Sequence, residues 1–503
     1  MSNEGAGVAS PDGFAGKGSA ARINGSVAPG GAADPLPQTL VSRNMESFGL
    51  DGRAGVDAGG TAAPGAGPGR SAAPEGVDPP SVPRIPPFDP DQVGGRLNAV
   101  QRFLSQPPLW FLWLLRTFAP IARLPRWAFV SRYDDVLQVL SRPDVFTVPY
   151  GAEMARLNDG REPGTKFILG VDDVQERAAQ LKWLMQAFQR SDVSTTVVPL
   201  CRCSATEAVE KSGGFMDAIP DLITAVPLKV CAGYYGVTIP AHRARDFAWA
   251  TIALSGHLFG PPPIDKTTST PVIEAAGVCV REIVDAAIDA ESATPSGRDT
   301  VLARLVHASR ADAALTRQQV RAILIGMIVG FVPTNTMAGG HILDTLLRKP
   351  RALAAAQEAA VAGDDTLLKH TLLEALRFMP LNPGPFRICS VDGFTLAPDT
   401  LRAVKLKKGT RVLASTMSAM FDSRQVKNPF DFVPGRPASD YLLFGYGLHW
   451  CAGRFIAEAQ ITQTFKALVL QPGLRRVGGR AGELKLRGAF PDHLLVMFDP
   501  PEE

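Results

Sequence analysis

Phe444-Gly-Tyr-Gly-Leu-His-Trp-Cys-Ala-Gly453 is the most specific run in this chain. Gly445 and Gly447 permit a tight loop with backbone angles that residues bearing a side chain resist. Cys451 then stands at the start of a helix expected to run from Cys451 to about Leu470 and to stop at Pro472-Gly473. There the free N–H groups and the helix dipole favour a thiolate over a thiol. Phe444 would shield the sulfur from water and so help set its potential. A lone cysteine is commonly just a small buried residue. Here the loop, the helix start and the Phe, Gly, His and Gly spacing act together, and they mark Cys451 as a metal-ligating thiolate.

Working outward, the longest helical signal lies upstream. Thr316-Arg-Gln-Gln319 has the form of a capping box, in which Thr and Gln each satisfy a free backbone N–H. From there a helix runs to Lys349-Pro350, roughly 48 Å at 1.5 Å per residue. Its middle, Ile323 to Val332, is apolar on all sides and should cross the core. Pro333 interrupts it and should open or kink the hydrogen-bond ladder. A further helix covers about Thr366 to Phe378 and ends before Pro380. Phe129 to Arg132 reads as a strand, Tyr133 to Leu140 and Arg177 to Phe188 as helices. Residues 240–300 alternate helical patterns with Pro/Gly breaks. The fold class is therefore mainly α with minor β.

The cysteine loop resembles the heme-binding signature of the cytochrome P-450 family. The resemblance implies that family's fold, with a long central helix and a Cys-ligand loop enclosing heme b, and Cys451 as the axial thiolate on the iron. Such a ligand pushes electron density toward O–O cleavage. Phe444 and Gly445 belong to the same loop and would lie against the heme. Glu374-Ala-Leu-Arg377 matches the family's E-x-x-R motif, and Arg436 in Phe432-Val-Pro-Gly-Arg-Pro437 matches the third member of that network. Their implied role is structural, locking the loop that presents the cysteine, since a guanidinium can bridge a carboxylate and backbone carbonyls. Arg387, in Gly384-Pro-Phe-Arg387, and His449 match positions that contact heme propionates. Arg177 stands where a propionate-binding His is expected, in Asp172-Asp-Val-Gln-Glu-Arg177, and Lys182 is a second candidate there.

The chain departs from the family in the long helix. The family pattern Ala/Gly-Gly-x-Asp/Glu-Thr-Thr falls on Gly330-Phe-Val-Pro-Thr-Asn335. Thr334 fills the alcohol position, Pro333 the acid position, and Phe331 replaces a glycine that leaves room over the iron. Proline has no side-chain proton and no N–H, so an acid–alcohol relay is incomplete. Thr334 could also merely satisfy the broken ladder beside Pro333.

The bulk figures bound the alternatives. The chain has 503 residues, 45% hydrophobic and 20% charged, with a formal net charge of +3. That near-balance gives no reason to expect a nucleic-acid partner. Six cysteines in so long a chain make no disulfide framework, and the five besides Cys451 read as ordinary thiols in a reducing, cytoplasmic compartment. The opening MSNEGAGVASPDGFAG lacks a basic patch followed by an apolar stretch, so no secretory signal is expected. Residues 1–91 are rich in Gly, Ala and Pro and are expected to form a disordered extension, with the heme-thiolate domain spanning 92–503. The apolar run Leu109 to Leu115 is far short of the ~20 residues that span a bilayer. It reads as a buried or interfacial helix, with membrane contact not favoured, and no transmembrane anchor is expected.

The resemblance implies a monooxygenase that takes a small apolar organic substrate and dioxygen, with electrons from a ferredoxin-type redox partner and its reductase. No nucleotide-binding Gly-rich fingerprint follows a strand, so a built-in reductase is not expected. Two other readings stay open. One is a peroxide- or hydroperoxide-using heme-thiolate enzyme (peroxygenase, isomerase or dehydratase), to which Pro333 would be no handicap. The other is a non-catalytic heme-binding sensor.

Overall fold

A computed structural model of the protein describes residues 85–95, 98–159, 165–260 and 266–499. Most of the N-terminal extension expected over 1–91 lies outside the described residues. Its last part belongs to the globular unit: Phe88 packs on the core, Val93 is buried, and the Pro90 carbonyl accepts from Arg487.

The helices among the described residues are α1 (Ala99–Ser105), α2 (Leu109–Phe118), α3 (Tyr133–Leu140), α4 (Gly151–Asp159), α5 (Val174–Ala187), α6 (Val198–Lys211), α7 (Ala225–Val230), α8 (Ala244–Phe259), α9 (Lys266–Ala293), α10 (Val301–Ala311), α11 (Arg317–Arg348), α12 (Pro350–Val361), α13 (Asp365–Phe378), α14 (Thr416–Ala419) and α15 (Arg454–Val469). The larger sheet is built from β1 (Ile121–Leu124), β2 (Trp127–Val130), β3 (Phe146–Thr147), β5 (Phe386–Cys389) and β8 (Arg411–Ala414), in the order β1-β2-β8-β5-β3. Only β2 and β8 in it run parallel, with Val130 opposite Ala414. Smaller pieces are β4 (Phe215–Asp217) with β9 (Arg475–Arg476) and β12 (Leu495–Met497), β6 (Phe394–Leu396) with β7 (Val404–Leu406), and β10 (Lys485–Arg487) with β11 (Phe490–His493).

Helix α11 organises the larger core. The Thr316 hydroxyl accepts from the Gln319 N–H at 3.2 Å, but the reciprocal half of the expected capping box, Gln319 Oε1 accepting from the Thr316 N–H, is not formed. The helix stops at Lys349 because Pro350, at the first position of α12, cannot continue its ladder. Though long and apolar enough to cross a bilayer, α11 has 78% of its most apolar stretch buried inside the fold. A second apolar cluster, with Val130, Val136, Phe146 and Val412, lies between the larger sheet and α3.

Pro333 does not end α11, which runs on through it. The reason lies in the two residues that follow. Thr334 Oγ1 donates to the Gly330 carbonyl at 2.5 Å, and Asn335 Nδ2 donates to the Phe331 carbonyl at 2.8 Å. Side chains thus reinforce the turn from which the proline ring removed a backbone donor.

Candidate heme site

A cavity of about 1250 Å³ lies between α11, α5, α8 and the 443–453 loop. It exceeds the ~300–1,000 Å³ of ordinary ligand pockets, enough for a macrocycle with a second molecule beside it. Its wall is mainly apolar: Phe167, Ile168, Ile325, Val329, Ala338 and Leu443 are examples.

The cysteine loop forms one side. Gly445 and Gly447 take φ of +77° and +70°, as the sequence requires, and a Cβ on Gly447 would meet the Leu140 carbonyl oxygen at 2.5 Å. The Cys451 N–H donates to the Phe444 carbonyl at 3.0 Å, which closes the loop. Helix α15 begins at Arg454, three residues later than expected, so Cys451 precedes the helix rather than opening it. Burial pushes the Cys451 thiol up, while the amides of Gly453 and Arg454 draw it down. A bound cation would supply what the amides alone do not. Phe444 lines the cavity, with the Arg454 guanidinium 5.4 Å from its ring centre.

Glu374, Arg377 and Arg436 meet beneath the loop. Arg377 grips both oxygens of Glu374, at 2.9 and 2.8 Å, and Arg436 Nε donates to Oε1 at 3.1 Å. The Val433 N–H and the Tyr441 hydroxyl complete five donors to one carboxylate. Arg377 also donates to the carbonyls of Met420 and Asp431, and Arg436 to those of Lys427, Asn428 and Asp431. Burial raises the Glu374 pKa, but the Arg377 hydrogen bond and charge, with the other donors, hold it below the usual value. The three residues thereby pin the chain that leads into the cysteine loop.

At another edge, Arg177 and His449 stand in the wall. Arg177 donates to the carbonyls of Ile168 at 2.6 Å and Leu448 at 2.5 Å. His449 Nε2 faces Asp172 Oδ1 at 3.2 Å, while its Nδ1 is buried without a partner. Burial lowers the His449 pKa against the pull of Asp172. Arg387 is buried beside the Tyr150 phenol and donates to the Phe386 carbonyl, so it stands next to the wall rather than in it. Lys182 is exposed and does not line the cavity. Tyr150, Asp172 and Tyr441 were not singled out as partners by sequence, and no spacing marks them.

Helix α11 offers Gly330, Thr334 and Asn335 to the cavity that Cys451 also lines. Pro333 is buried and does not line it. Phe331 also lines the cavity, its ring against that of Tyr235 with centres 5.5 Å apart, and a Cβ on neighbouring Gly330 would meet nothing within 4 Å.

These residues fit a heme. A thiol lines an apolar chamber of sufficient size, a guanidinium and an unpartnered imidazole nitrogen in its wall could hold anionic side groups, and Gly330 leaves room on the α11 side. The family model for cytochrome P450 matches residues 273–471, which include α11, the Glu374–Arg377 pair and the whole cysteine loop. Over residues 273–471 the chain is a cytochrome P450. Heme b is the cofactor that this family binds, and the cavity residues fit it.

Relatives agree with that placement. Cytochrome P450-SOY of Streptomyces griseus is 28% identical over 67% of this chain and 74% of its own length. The bifunctional dioxygenase–epoxy alcohol synthase of Fusarium oxysporum is 33% identical over 31% of this chain. That match spans only 12% of the fungal protein's length. Among solved structures, the P450 heme domain of Tepidiphilus thermophilus superposes with a TM-score of 0.65 at 22% identity. It covers 82% of this chain and 97% of that one, and shows the shared fold.

Proposed function

We propose that this P450 is a monooxygenase that inserts one oxygen atom from dioxygen into a small apolar organic molecule. Cys451 would hold the heme iron, Arg177 and His449, with Arg387 beside them, would hold the propionates, and Phe444 and Gly445 would shape the loop that presents the sulfur. When bound, the heme supplies the oxygen-activating chemistry, and thiolate ligation favours O–O cleavage. The observation that carries the reading is Thr334. Thr334 lines the cavity and its hydroxyl is anchored to the Gly330 carbonyl, so it can accept and pass on a proton within the chamber that Cys451 also lines. A mycinamicin IV hydroxylase/epoxidase and a steroid C26-monooxygenase stand among its relatives, which supports this reading. Electrons would come from a separate ferredoxin-type partner and its reductase, in the cytoplasm.

A second reading is favoured by Pro333. With a buried proline at the acid position, the relay lacks its carboxyl group. A substrate that carries its own O–O bond needs no such relay, and the relative named an epoxy alcohol synthase supports a hydroperoxide-using enzyme. Turnover decides between them. Product formed with a ferredoxin, its reductase and dioxygen supports the first. Product formed only from an organic hydroperoxide, with no reductant, replaces it with the second. Heme binding without turnover under either condition would point to the sensor.

A further inference from the structure

Residues 85–95, which precede the first helix, form a strap along one wall of the cavity. Asp89 caps a single 3₁₀ turn, Pro90–Gln92, by accepting from the Asp91 N–H at 2.9 Å. The turn buries Pro90 and leaves the Asp91 side chain 65% exposed. Gly94 then takes φ of +66° and passes close to the β10–β11 turn. A Cβ on it would stand 3.1 Å from the Arg487 carbonyl carbon and from the Gly488 nitrogen. Gln92, Val93, Gly94 and Gly95 line the cavity, and so do Arg487 and Ile252.

One guanidinium joins strap, hairpin and helix. Arg487 donates to the Pro90 carbonyl at 3.1 Å and to Asp91 Oδ1 at 3.3 Å. It also donates to Asp492 of its own hairpin at 3.1 Å, and it lies over the Trp249 ring of α8, 4.3 Å from the ring centre. Arg245, also on α8, donates to the same Asp91 oxygen at 2.6 Å. A single carboxylate thus ties the strap to both α8 and the hairpin.

These ties are well formed and weak. Arg245 is 57% exposed, and an exposed ion pair is worth at most about fivefold in an equilibrium. Dissolved salt screens it further. The apolar hold is small as well, supplied by Phe88 and Val93. Gly94 and Gly95 follow directly, and with no side chains they can absorb the backbone rotation that lifting the strap requires.

We propose that residues 85–95 are a latched wall of the cavity, with Asp91 as the latch that Arg245 and Arg487 hold shut. Released, the strap widens the opening for a long apolar molecule. Closed, it shuts water out of the chamber. Asp91 is a positioning residue, which sets how large a molecule passes. That this molecule is a substrate rests on the proposed function, whereas the latch itself does not.

Two readouts test the latch on the heme-loaded full chain. Stopped-flow absorbance gives the association rates of imidazole and 1-dodecylimidazole, which present the same iron-binding ring on a small and a long body. Hydrogen exchange of the 85–95 backbone reads the strap with no ligand present. Asp91→Ala should speed 1-dodecylimidazole about tenfold, keep imidazole within about twofold, and quicken exchange over 85–95. Raising salt from about 0.05 to about 0.5 M should do the same to the parent and change the variant little. Asp91→Glu keeps the charge and should restore the parent's rates. Unchanged heme absorbance and circular dichroism would show that the variants fold. Neither readout needs turnover, so an inactive enzyme overturns the proposed function and not the latch. The latch is overturned if 85–95 in Asp91→Ala exchanges as in the parent, or if both azoles speed up alike. It is also overturned if exchange quickens while the long azole enters no faster, or if salt leaves the parent unchanged.

Discussion

Replacing Glu374 by Gln changes one atom and strikes the centre of the loop's anchorage. The carboxylate accepts five hydrogen bonds, at 2.8 to 3.1 Å, from Arg377 twice, Arg436, Val433 and Tyr441. All five are donors, so the new amide NH2 would face donors wherever it turned. The charge is lost too, and Arg377 and Glu374 are both fully buried. Asp440 cannot substitute, since it stands 3.9 Å from Arg436 Nη1. Removing one partner of a buried ion pair costs about 3–5 kcal/mol. Domains of ordinary stability hold about 5–15 kcal/mol in total. Glu374→Gln should therefore remove about a fifth or more of the stability and release heme as the Cys451 loop loosens. The assay is urea denaturation followed by heme absorbance and tryptophan fluorescence, with the carbon monoxide difference spectrum as a check on ligation. Acid gives the same perturbation without mutation. The folded pKa of Glu374 is depressed, so its contribution is complete above the usual carboxylate value and fades as pH falls through the folded one. A Glu374→Gln protein within about 1 kcal/mol of the parent, with heme retained, would refute this account of the triad.

Three further outcomes follow from the same structure. His341 on α11 is fully buried and hydrogen-bonded to the Met379 carbonyl at 3.0 Å, and burial pushes its pKa down to about 4. Folded protein keeps it neutral while unfolded chain protonates it below about 6.5. Stability should fall by about 1.4 kcal/mol per pH unit between those values, and a His341→Gln variant with the same slope would show the cause to be elsewhere. Thr334→Ala should leave heme binding intact and lower product per electron pair about tenfold or more, with peroxide released instead. Unchanged coupling would make Thr334 a structural residue of the helix. Gly447→Ala should lower heme retention, because its Cβ would collide with the Leu140 carbonyl at a positive φ. Parent-like retention would show that the loop tolerates a side chain there.

The parts of the fold legible in sequence are those fixed by local chemistry. Thr316 and Pro350 bracket α11 because capping and the absent proline N–H act over a few residues. Gly445 and Gly447 announced a left-handed loop because only glycine enters that region cheaply. Glu374 and Arg377 could be paired because one helical turn brings them together. What was missed depends on contacts distant in sequence. Tyr441 reaches Glu374 across 67 residues, and Tyr150 meets Arg387 only after the chain has folded. The contact of Phe331 with Tyr235 joins residues almost a hundred positions apart, so no local spacing announces it. The run Leu109 to Leu115 reads as buried or interfacial, since an apolar run looks the same whether it meets a core or a surface, and Trp110 and Trp113 prove exposed.

The most direct test is the carbon monoxide difference spectrum of the reduced parent and of Cys451→Ala. The parent should give the long-wavelength band of thiolate-ligated heme, and the variant should lose it while far-ultraviolet circular dichroism stays unchanged. A variant that keeps the band, or a folded parent that binds heme without ever giving it, would contradict Cys451 as the axial ligand.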